Sequence, residues 1–176
     1  VDANKPESWK ASLTPKTRLF WCETITNPLV QVPDLPAIAK FCKDNGVVSM
    51  IDNTFASPIN FNPRTMGFDL IMHSATKYLN GHSDIVAGAL TGSAAIVEKC
   101  ARTLRTLGGA LDPHACYLLD RGIKTLGVRV RQQNQSAMKV ASYLAAHRAV
   151  ARVNYPGLES SAGHARAKEW FRGFGG

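Results

Sequence analysis

The chain has 176 residues, of which 45% are hydrophobic and 19% are charged, and its formal net charge is +8. This composition is ordinary for a folded globular protein and excludes an intrinsically disordered chain. The basic residues are spread along the sequence and form no nucleic-acid-binding motif, so an anionic small ligand is sufficient to explain the charge. No apolar run approaches the roughly 20 residues of a membrane-spanning helix. We therefore expect neither nucleic acid nor a membrane as a partner.

The first predicted elements form a strand–helix–strand unit. Residues 18–23 predict a strand, residues 34–46 a helix with Asp34 as its N-cap, and residues 47–52 a second strand. Strands joined by such a crossover helix are parallel, and the connection is right-handed. The pattern predicts an α/β protein with a mostly parallel sheet.

A third apolar run, residues 70–72, leads directly into Ser74, Thr76 and Lys77. In an open α/β sheet ligands bind at the carboxyl ends of the strands, so these polar groups form one candidate ligand site. Two hydroxyls fit a phosphate ester, and a lysine amine forms Schiff bases with aldehydes. The combination suggests pyridoxal phosphate. On these residues alone, a surface lysine in a polar turn is an equal alternative.

Two further polar residues follow the other predicted strands. Asp52 ends the second strand, and a carboxylate is the group that keeps the pyridine nitrogen of this cofactor protonated. Asn27 follows the first strand, where its amide is placed to donate to the phenolic oxygen of the cofactor. The alternatives are a turn or N-cap role for Asp52 and, for Asn27, an extended residue before Pro28.

Three segments, residues 23–28, 51–55 and 73–84, closely resemble the Cys/Met-metabolism pyridoxal-phosphate enzymes. This family includes cystathionine γ-synthase, cystathionine γ-lyase, cystathionine β-lyase and methionine γ-lyase. The resemblance extends over nearly the whole chain, from about residue 18. It implies the aspartate-aminotransferase-like large domain of fold type I, an α/β domain with a mostly parallel sheet flanked by helices.

The resemblance also implies a role for each candidate residue. Lys77 is the catalytic residue, both as the internal-aldimine lysine and as the base that removes the Cα proton. Asp52 pairs with the pyridinium nitrogen, Ser74 and Thr76 hold the phosphate, and Asn27 contacts the phenolic oxygen. No metal site is expected. The four cysteines form no C-x-x-C pair and are predicted to be buried free thiols.

The second half of the chain predicts a further strand and several helices. The strand covers residues 85–92, and the helices cover residues 93–107, 113–121 and 124–147, with Gly122 ending the second of them. We predict a large cofactor domain over residues 1–147 and the start of a smaller C-terminal α+β domain over residues 148–176. Its predicted elements are a strand over residues 150–155 and a helix over residues 162–171.

The sequence opens without an initiator methionine, and we expect it to be a fragment lacking parts of both domains. The resemblance places the family's ring-stacking aromatic residue and a glycine-containing phosphate loop before Val1. It places the arginine that binds the substrate carboxylate after Gly176. The intact parent is then a catalyst, whereas the fragment alone is not expected to hold the cofactor firmly.

The implied reaction is that of a transsulfuration enzyme. Residues 107–113 and 130–134 resemble γ-synthase sequences, which favours γ-replacement on an activated homoserine. Carbon–sulfur γ-elimination, as in cystathionine γ-lyase or methionine γ-lyase, is the alternative, and a non-catalytic truncated partner subunit is an alternative of another class. The expected partners are small amino-acid substrates (activated homoserine, cysteine or cystathionine) and further copies of the chain, as a dimer of dimers. The expected location is the cytoplasm, with a plastid as the alternative.

Overall fold

A computed structural model describes residues 1–176 and contains one four-stranded sheet. The strands β1 (Leu19–Glu23), β2 (Val48–Asp52), β3 (Leu70–Ser74) and β4 (Gly88–Gly92) lie side by side in the order β1-β2-β3-β4. β1 and β3 each pair with β2 in parallel, whereas β4 is antiparallel to β3. The predicted α/β fold with a mostly parallel sheet is confirmed.

Helices connect and flank these strands. They are α1 (Pro6–Ala11), α2 (Leu35–Asp44), α3 (Ser57–Asn60), a 3-10 helix (Pro63–Met66), α4 (Ala94–Leu107), α5 (Pro113–Ile123), α6 (Leu126–Ala145) and α7 (His164–Trp170). The predicted N-cap of α2 is confirmed, since Asp34 accepts from the Ala37 N–H at 3.1 Å. Asp112 caps α5 in the same way by accepting from the Ala115 N–H at 3.0 Å. These bonds satisfy amide groups that have no partner inside the helix.

The main core lies on one face of the sheet. Side chains alternate along a strand, and Phe20 and Ile51 are among those that point towards this core. α2 covers this face with its own apolar side, including Ile38, which is fully buried. The opposite face of β1 and β2 is less covered, and Trp21 there is 50% exposed. Packing on the core face therefore holds the strands in place, and Asp52 lies on the opposite, less covered face.

Gly122 does not end a helix, contrary to the sequence-based expectation. It lies inside α5, which continues to Ile123. A Cβ at this position would lie 2.4 Å from the Asn80 carbonyl oxygen. The glycine therefore serves close packing of α5 against the turn that follows β3, and this contact cannot be seen in a local sequence pattern.

The predicted strand over residues 150–155 is wrong, because the backbone there is irregular. A strand needs a neighbour with which to exchange hydrogen bonds, and none of β1 to β4 lies beside this segment. Tyr155 instead donates its hydroxyl to the Gly175 carbonyl at 2.9 Å. α7 forms within the predicted helix, and the boundary at residues 147 and 148 stays a prediction.

All four cysteines are free, as predicted. Cys22 and Cys42 are buried, and burial raises the pKa of the Cys22 thiol to about 12 and that of Cys42 to about 11. Cys116, however, is exposed, so the expectation that all four are buried is wrong. No helix combines the length and the hydropathy that crossing a bilayer requires.

Candidate active site

The carboxyl ends of the three parallel strands meet at one edge of the sheet. Glu23 at the end of β1 is the register partner of Asp52 at the end of β2, and Asp52 is in turn the partner of Met72 on β3. A cavity of about 160 Å³ lies at this edge. Its lining residues are Glu23, Ile25, Asn27, Asp52, Thr54, Phe55, Ser74 and Lys77. The fold thus brings four predicted site residues to one cavity: Asn27, Asp52, Ser74 and Lys77.

Thr54 fixes the carboxylate of Asp52. The Thr54 N–H donates to Asp52 Oδ1 at 2.9 Å, and the Thr54 hydroxyl donates to the same oxygen. The hydroxyl oxygen also accepts from the Ser74 N–H at 2.7 Å, so it joins the ends of β2 and β3. Asp52 Oδ2 accepts no hydrogen bond within the chain and is free to accept one from a ligand. Thr54 had no predicted role, although an aspartate side chain often accepts a hydrogen bond from the backbone N–H two residues later in an Asx-turn.

The other side chains at this cavity are also free of internal partners. The side chains of Asn27, Ser74 and Lys77 make no hydrogen bond or ion pair within the chain, and the only bond of Asn27 there is from its backbone N–H to Glu23 Oε2 at 2.9 Å. An amine, a hydroxyl, an amide and one carboxylate oxygen therefore remain available around the same cavity. This is the donor and acceptor set that an aldehyde with a phenolic oxygen, a protonated ring nitrogen and a phosphate would use.

Thr76 is placed differently from the other predicted residues. Its hydroxyl accepts from the Ala87 N–H at 2.9 Å and donates to the Ala87 carbonyl at 3.2 Å. It lines a neighbouring cavity of about 700 Å³, which Lys77 and Phe55 also line. The hydroxyl proton is thus engaged with the segment leading into β4, and the phosphate role of Thr76 stays a prediction.

His73 is a buried titratable group next to the site that the sequence did not single out. It precedes Ser74 on β3, so its side chain points to the opposite face of the sheet. Burial lowers the pKa of His73, and the negative charge of Asp52 opposes this change in part. The imidazole is therefore held in its neutral form inside the domain.

A lysine turn at the carboxyl edge of a parallel sheet, with a fixed carboxylate on the adjacent strand, is the arrangement expected of a pyridoxal-phosphate-dependent enzyme. The family model for Cys/Met metabolism PLP-dependent enzymes matches residues 1–176. The chain belongs to this family, and pyridoxal phosphate is the cofactor of the family. No group of three or more His, Cys, Asp or Glu side chains is placed to hold a metal ion.

Individual relatives support the same assignment. The chain is 42% identical to a protein named probable cystathionine gamma-synthase from Herpetosiphon aurantiacus, covering all of this chain and 56% of the relative. It is 43% identical to the cystathionine gamma-lyase of Bacillus subtilis, covering all of this chain and 47% of the relative. The fold superposes with a TM-score of 0.95 on the cystathionine gamma-lyase of Lactobacillus plantarum, solved with L-serine, at 39% identity over 99% of this chain and 46% of that one. The chain thus spans about half the length of these relatives.

Proposed function

We propose that this chain supplies the cofactor-binding lysine and its surroundings in a transsulfuration enzyme that performs γ-replacement on an activated homoserine. The observation that carries the proposal is the set of unpaired groups around one cavity: the amine of Lys77, Oδ2 of Asp52, the Ser74 hydroxyl and the Asn27 amide. Their chemical variety matches the different groups of pyridoxal phosphate rather than a metal ion or a nucleotide.

Each residue has a proposed task toward that cofactor. When bound, pyridoxal phosphate supplies an electron sink for the amino acid attached to it. Lys77 binds the cofactor aldehyde and, once freed, takes the Cα proton of the substrate on its amine. Asp52, held by Thr54, keeps a proton on the ring nitrogen. Ser74 binds the phosphate together with Thr76, whose hydroxyl then donates to the phosphate in place of the Ala87 carbonyl. Asn27 donates to the phenolic oxygen.

The choice between γ-replacement and γ-elimination rests on the relatives and on local sequence. Relatives named as γ-synthase and as γ-lyase match this chain about equally well. The resemblance of residues 107–113 and 130–134 to γ-synthases favours γ-replacement. The second candidate is γ-elimination, since two of the compared relatives are named as cystathionine γ-lyases. Both reactions act on small amino acids with a substituent on Cγ.

We further propose that the protein assembles as a dimer of dimers in the cytoplasm. Several large apolar side chains on α5 and α6 are exposed, which supports a covering subunit: Tyr117, Val128, Val140 and Tyr143. The location is proposed from the bacterial relatives. A plastid stays the alternative.

The test of cofactor binding is an absorbance spectrum of the purified chain with added pyridoxal phosphate. With pyridoxal phosphate in excess, so that weak binding is saturated, we expect a visible imine band, and borohydride reduction followed by peptide mass measurement should place the cofactor on Lys77. K77A should lack the band, whereas K139A should keep it, because Lys139 is an exposed lysine on α6 without a hydrogen bond. Equal spectra for the wild type and K77A would contradict the proposal.

The reaction is tested on protein that passes the spectral test. Formation of cystathionine from a γ-substituted homoserine and cysteine would support γ-replacement. Release of an oxo acid and ammonia from cystathionine would support γ-elimination instead. A protein that binds the cofactor but turns over neither substrate would favour the non-catalytic partner subunit.

A further inference from the structure

An arginine on α6 reaches into the turn that carries Lys77. Arg129 Nη1 donates to the Tyr78 carbonyl at 2.9 Å, and Nη2 donates to the Leu79 carbonyl at 3.3 Å. Nη2 also donates to the Gly122 carbonyl at 2.8 Å, and Nε donates to the Thr125 hydroxyl at 3.0 Å. No carboxylate pairs with this side chain. The guanidinium is therefore used almost entirely to bind main-chain oxygens.

Two of these carbonyls belong to Tyr78 and Leu79, the residues that directly follow Lys77, and neither of the two accepts another hydrogen bond within the chain. The rest of the turn is closed by backbone bonds: the Lys77 N–H donates to Ser74 O at 3.1 Å, and the Gly81 N–H donates to Lys77 O at 2.7 Å. Arg129 thus supplies the partners that the turn itself lacks. Hydrogen bonds to a charged donor are stronger than neutral ones, so these bonds restrain the peptide planes beside Lys77.

The turn is shaped to admit the guanidinium. Gly81 has φ = +76°, and a Cβ there would lie 1.9 Å from Arg129 Nη1, so the guanidinium lies directly against the backbone. Gly122 likewise allows close contact between α5 and Asn80. Arg129 is partly buried in this contact, and this burial lowers its pKa. Two glycines and one arginine therefore form a single packed unit behind Lys77.

We propose that Arg129 is a positioning residue for Lys77, holding the backbone of the turn so that the lysine amine stays directed into the cavity shared with Asp52 and Ser74. The inference rests on the proposed function of Lys77. Arg129 lines neither of the cavities that Lys77 lines, so it acts only through the turn. A reacting amine displaced by about 1 Å can lose on the order of 100-fold in rate, which gives the restraint a chemical purpose.

The test compares R129A with R131A in the full chain. Arg131 lies on the same helix, is exposed and makes no hydrogen bond or ion pair, so R131A removes an equal charge without touching the turn. The first readout is amide hydrogen exchange. We expect the amides of residues 75–81 to exchange on the order of tenfold faster in R129A while those of β1 and β2 are unchanged, because only local opening is promoted.

The second readout follows Lys77 itself, using added pyridoxal phosphate. Borohydride trapping at Lys77 should be on the order of tenfold slower in R129A. The visible circular dichroism of the bound cofactor, divided by its absorbance, should also fall because the lysine no longer fixes one orientation. R129K keeps the positive charge but has fewer hydrogen-bond donors, and it should restore part of both signals. Should R129A fail to fold, R129K and R129Q provide the same comparison.

The outcomes separate the inference from the proposed function. A wild-type chain that is never trapped at Lys77 overturns the proposed function and the inference with it. A wild-type chain that is trapped, beside an R129A with the same trapping rate and the same dichroism ratio, overturns the inference alone. Faster exchange spread evenly over all amides would also overturn it, because Arg129 would then contribute only to general stability.

Discussion

At the residue scale, the Thr54 hydroxyl is the connection between two strand ends of the candidate site. It donates to Asp52 Oδ1 and accepts from the Ser74 N–H, so one side chain orients a carboxylate and satisfies a backbone donor. The carboxylate is left with a single free oxygen. Its direction is thereby fixed before any ligand arrives, which reduces the ordering that binding must impose.

Thr54→Val tests this connection with little change in shape. The variant leaves the Ser74 N–H without its acceptor, and we expect the free energy of unfolding to fall by about 1–3 kcal/mol. Pyridoxal phosphate should also bind more weakly, because Asp52 loses its orientation. Urea unfolding and a cofactor titration measure the two effects.

Thr103→Val is the matched control for that substitution. Thr103 is exposed on α4, and its hydroxyl donates only to the Lys99 carbonyl of the same helix at 3.3 Å. Its replacement should change neither the free energy of unfolding nor the affinity for pyridoxal phosphate appreciably. Equal losses in the two variants would show that the Thr54 hydroxyl has no special part in the site.

The identities of most site residues were predictable from the sequence, but their hydrogen bonds were not. Asn27, Asp52, Ser74 and Lys77 each follow an apolar run, so strand patterning alone brings them to one sheet edge. The pairing of Thr76 with Ala87 depends on how the chain returns from the lysine turn to β4. This packing of one segment against another leaves no periodic pattern in the local sequence. The same reason hid the role of Arg129, which lies about 50 residues along the chain from the carbonyls it binds.

At the element scale, the packing of α5 against the lysine turn depends on a glycine inside the helix. Sequence patterning predicted α2, α4, α5, α6 and α7, since their apolar faces and caps are local properties, but it did not predict α3 or the 3-10 helix. It misplaced Gly122 as a helix end, because a glycine near a predicted helix end is more often a stop signal than a packing site. It also placed a strand over residues 150–155, because Val150, Val153 and Tyr155 indicate strand propensity but not the presence of a pairing partner.

Gly122→Ala and Gly127→Ala form a matched pair on neighbouring helices. Alanine favours a helix over glycine by about 1 kcal/mol. Both variants therefore gain the same stability from helix propensity. At residue 122 the new methyl would meet the Asn80 backbone at 2.4 Å, whereas at residue 127 it meets only the flexible end of Arg131 at 3.3 Å. We expect G122A to lose about 1–3 kcal/mol through overpacking and G127A to be unchanged or more stable.

Urea unfolding of the two glycine variants measures this difference. The lysine turn should also be affected only in G122A, where amide exchange of residues 78–81 should rise. A G122A variant as stable as G127A would show that α5 and the turn can separate without cost. The close approach would then have no energetic consequence.

At the scale of the whole molecule, His73 links the stability of the domain to pH. Its pKa in the folded chain is lowered by burial, whereas in the unfolded chain it has the usual value of about 6.5. As the pH falls below about 6.5, His73 becomes protonated in the unfolded chain but stays neutral in the folded chain. The free energy of unfolding should therefore decrease as the pH is lowered through this range.

Thermal unfolding between pH 7.5 and pH 5 checks this dependence. His73→Gln removes the titrating group and should flatten the fall in melting temperature over that range. His114→Gln is the control, because His114 is exposed near the start of α5. A pH dependence of the same steepness in His73→Gln and the wild type would assign the effect to other groups.

The half-exposed Trp21 on β1 gives the molecule its own optical probe. It lies two residues before Glu23, which lines the candidate cavity, and it shares that face of the sheet with Asp52. Trp9 is only 3% exposed and packs on the opposite side, against Phe20 and Phe41. An absorbing ring at the cavity would quench the Trp21 emission more strongly than that of Trp9. The chain also carries Trp170 on α7, so the part of the emission change that Trp21→Phe removes reports loading of the cavity, without a label and without turnover.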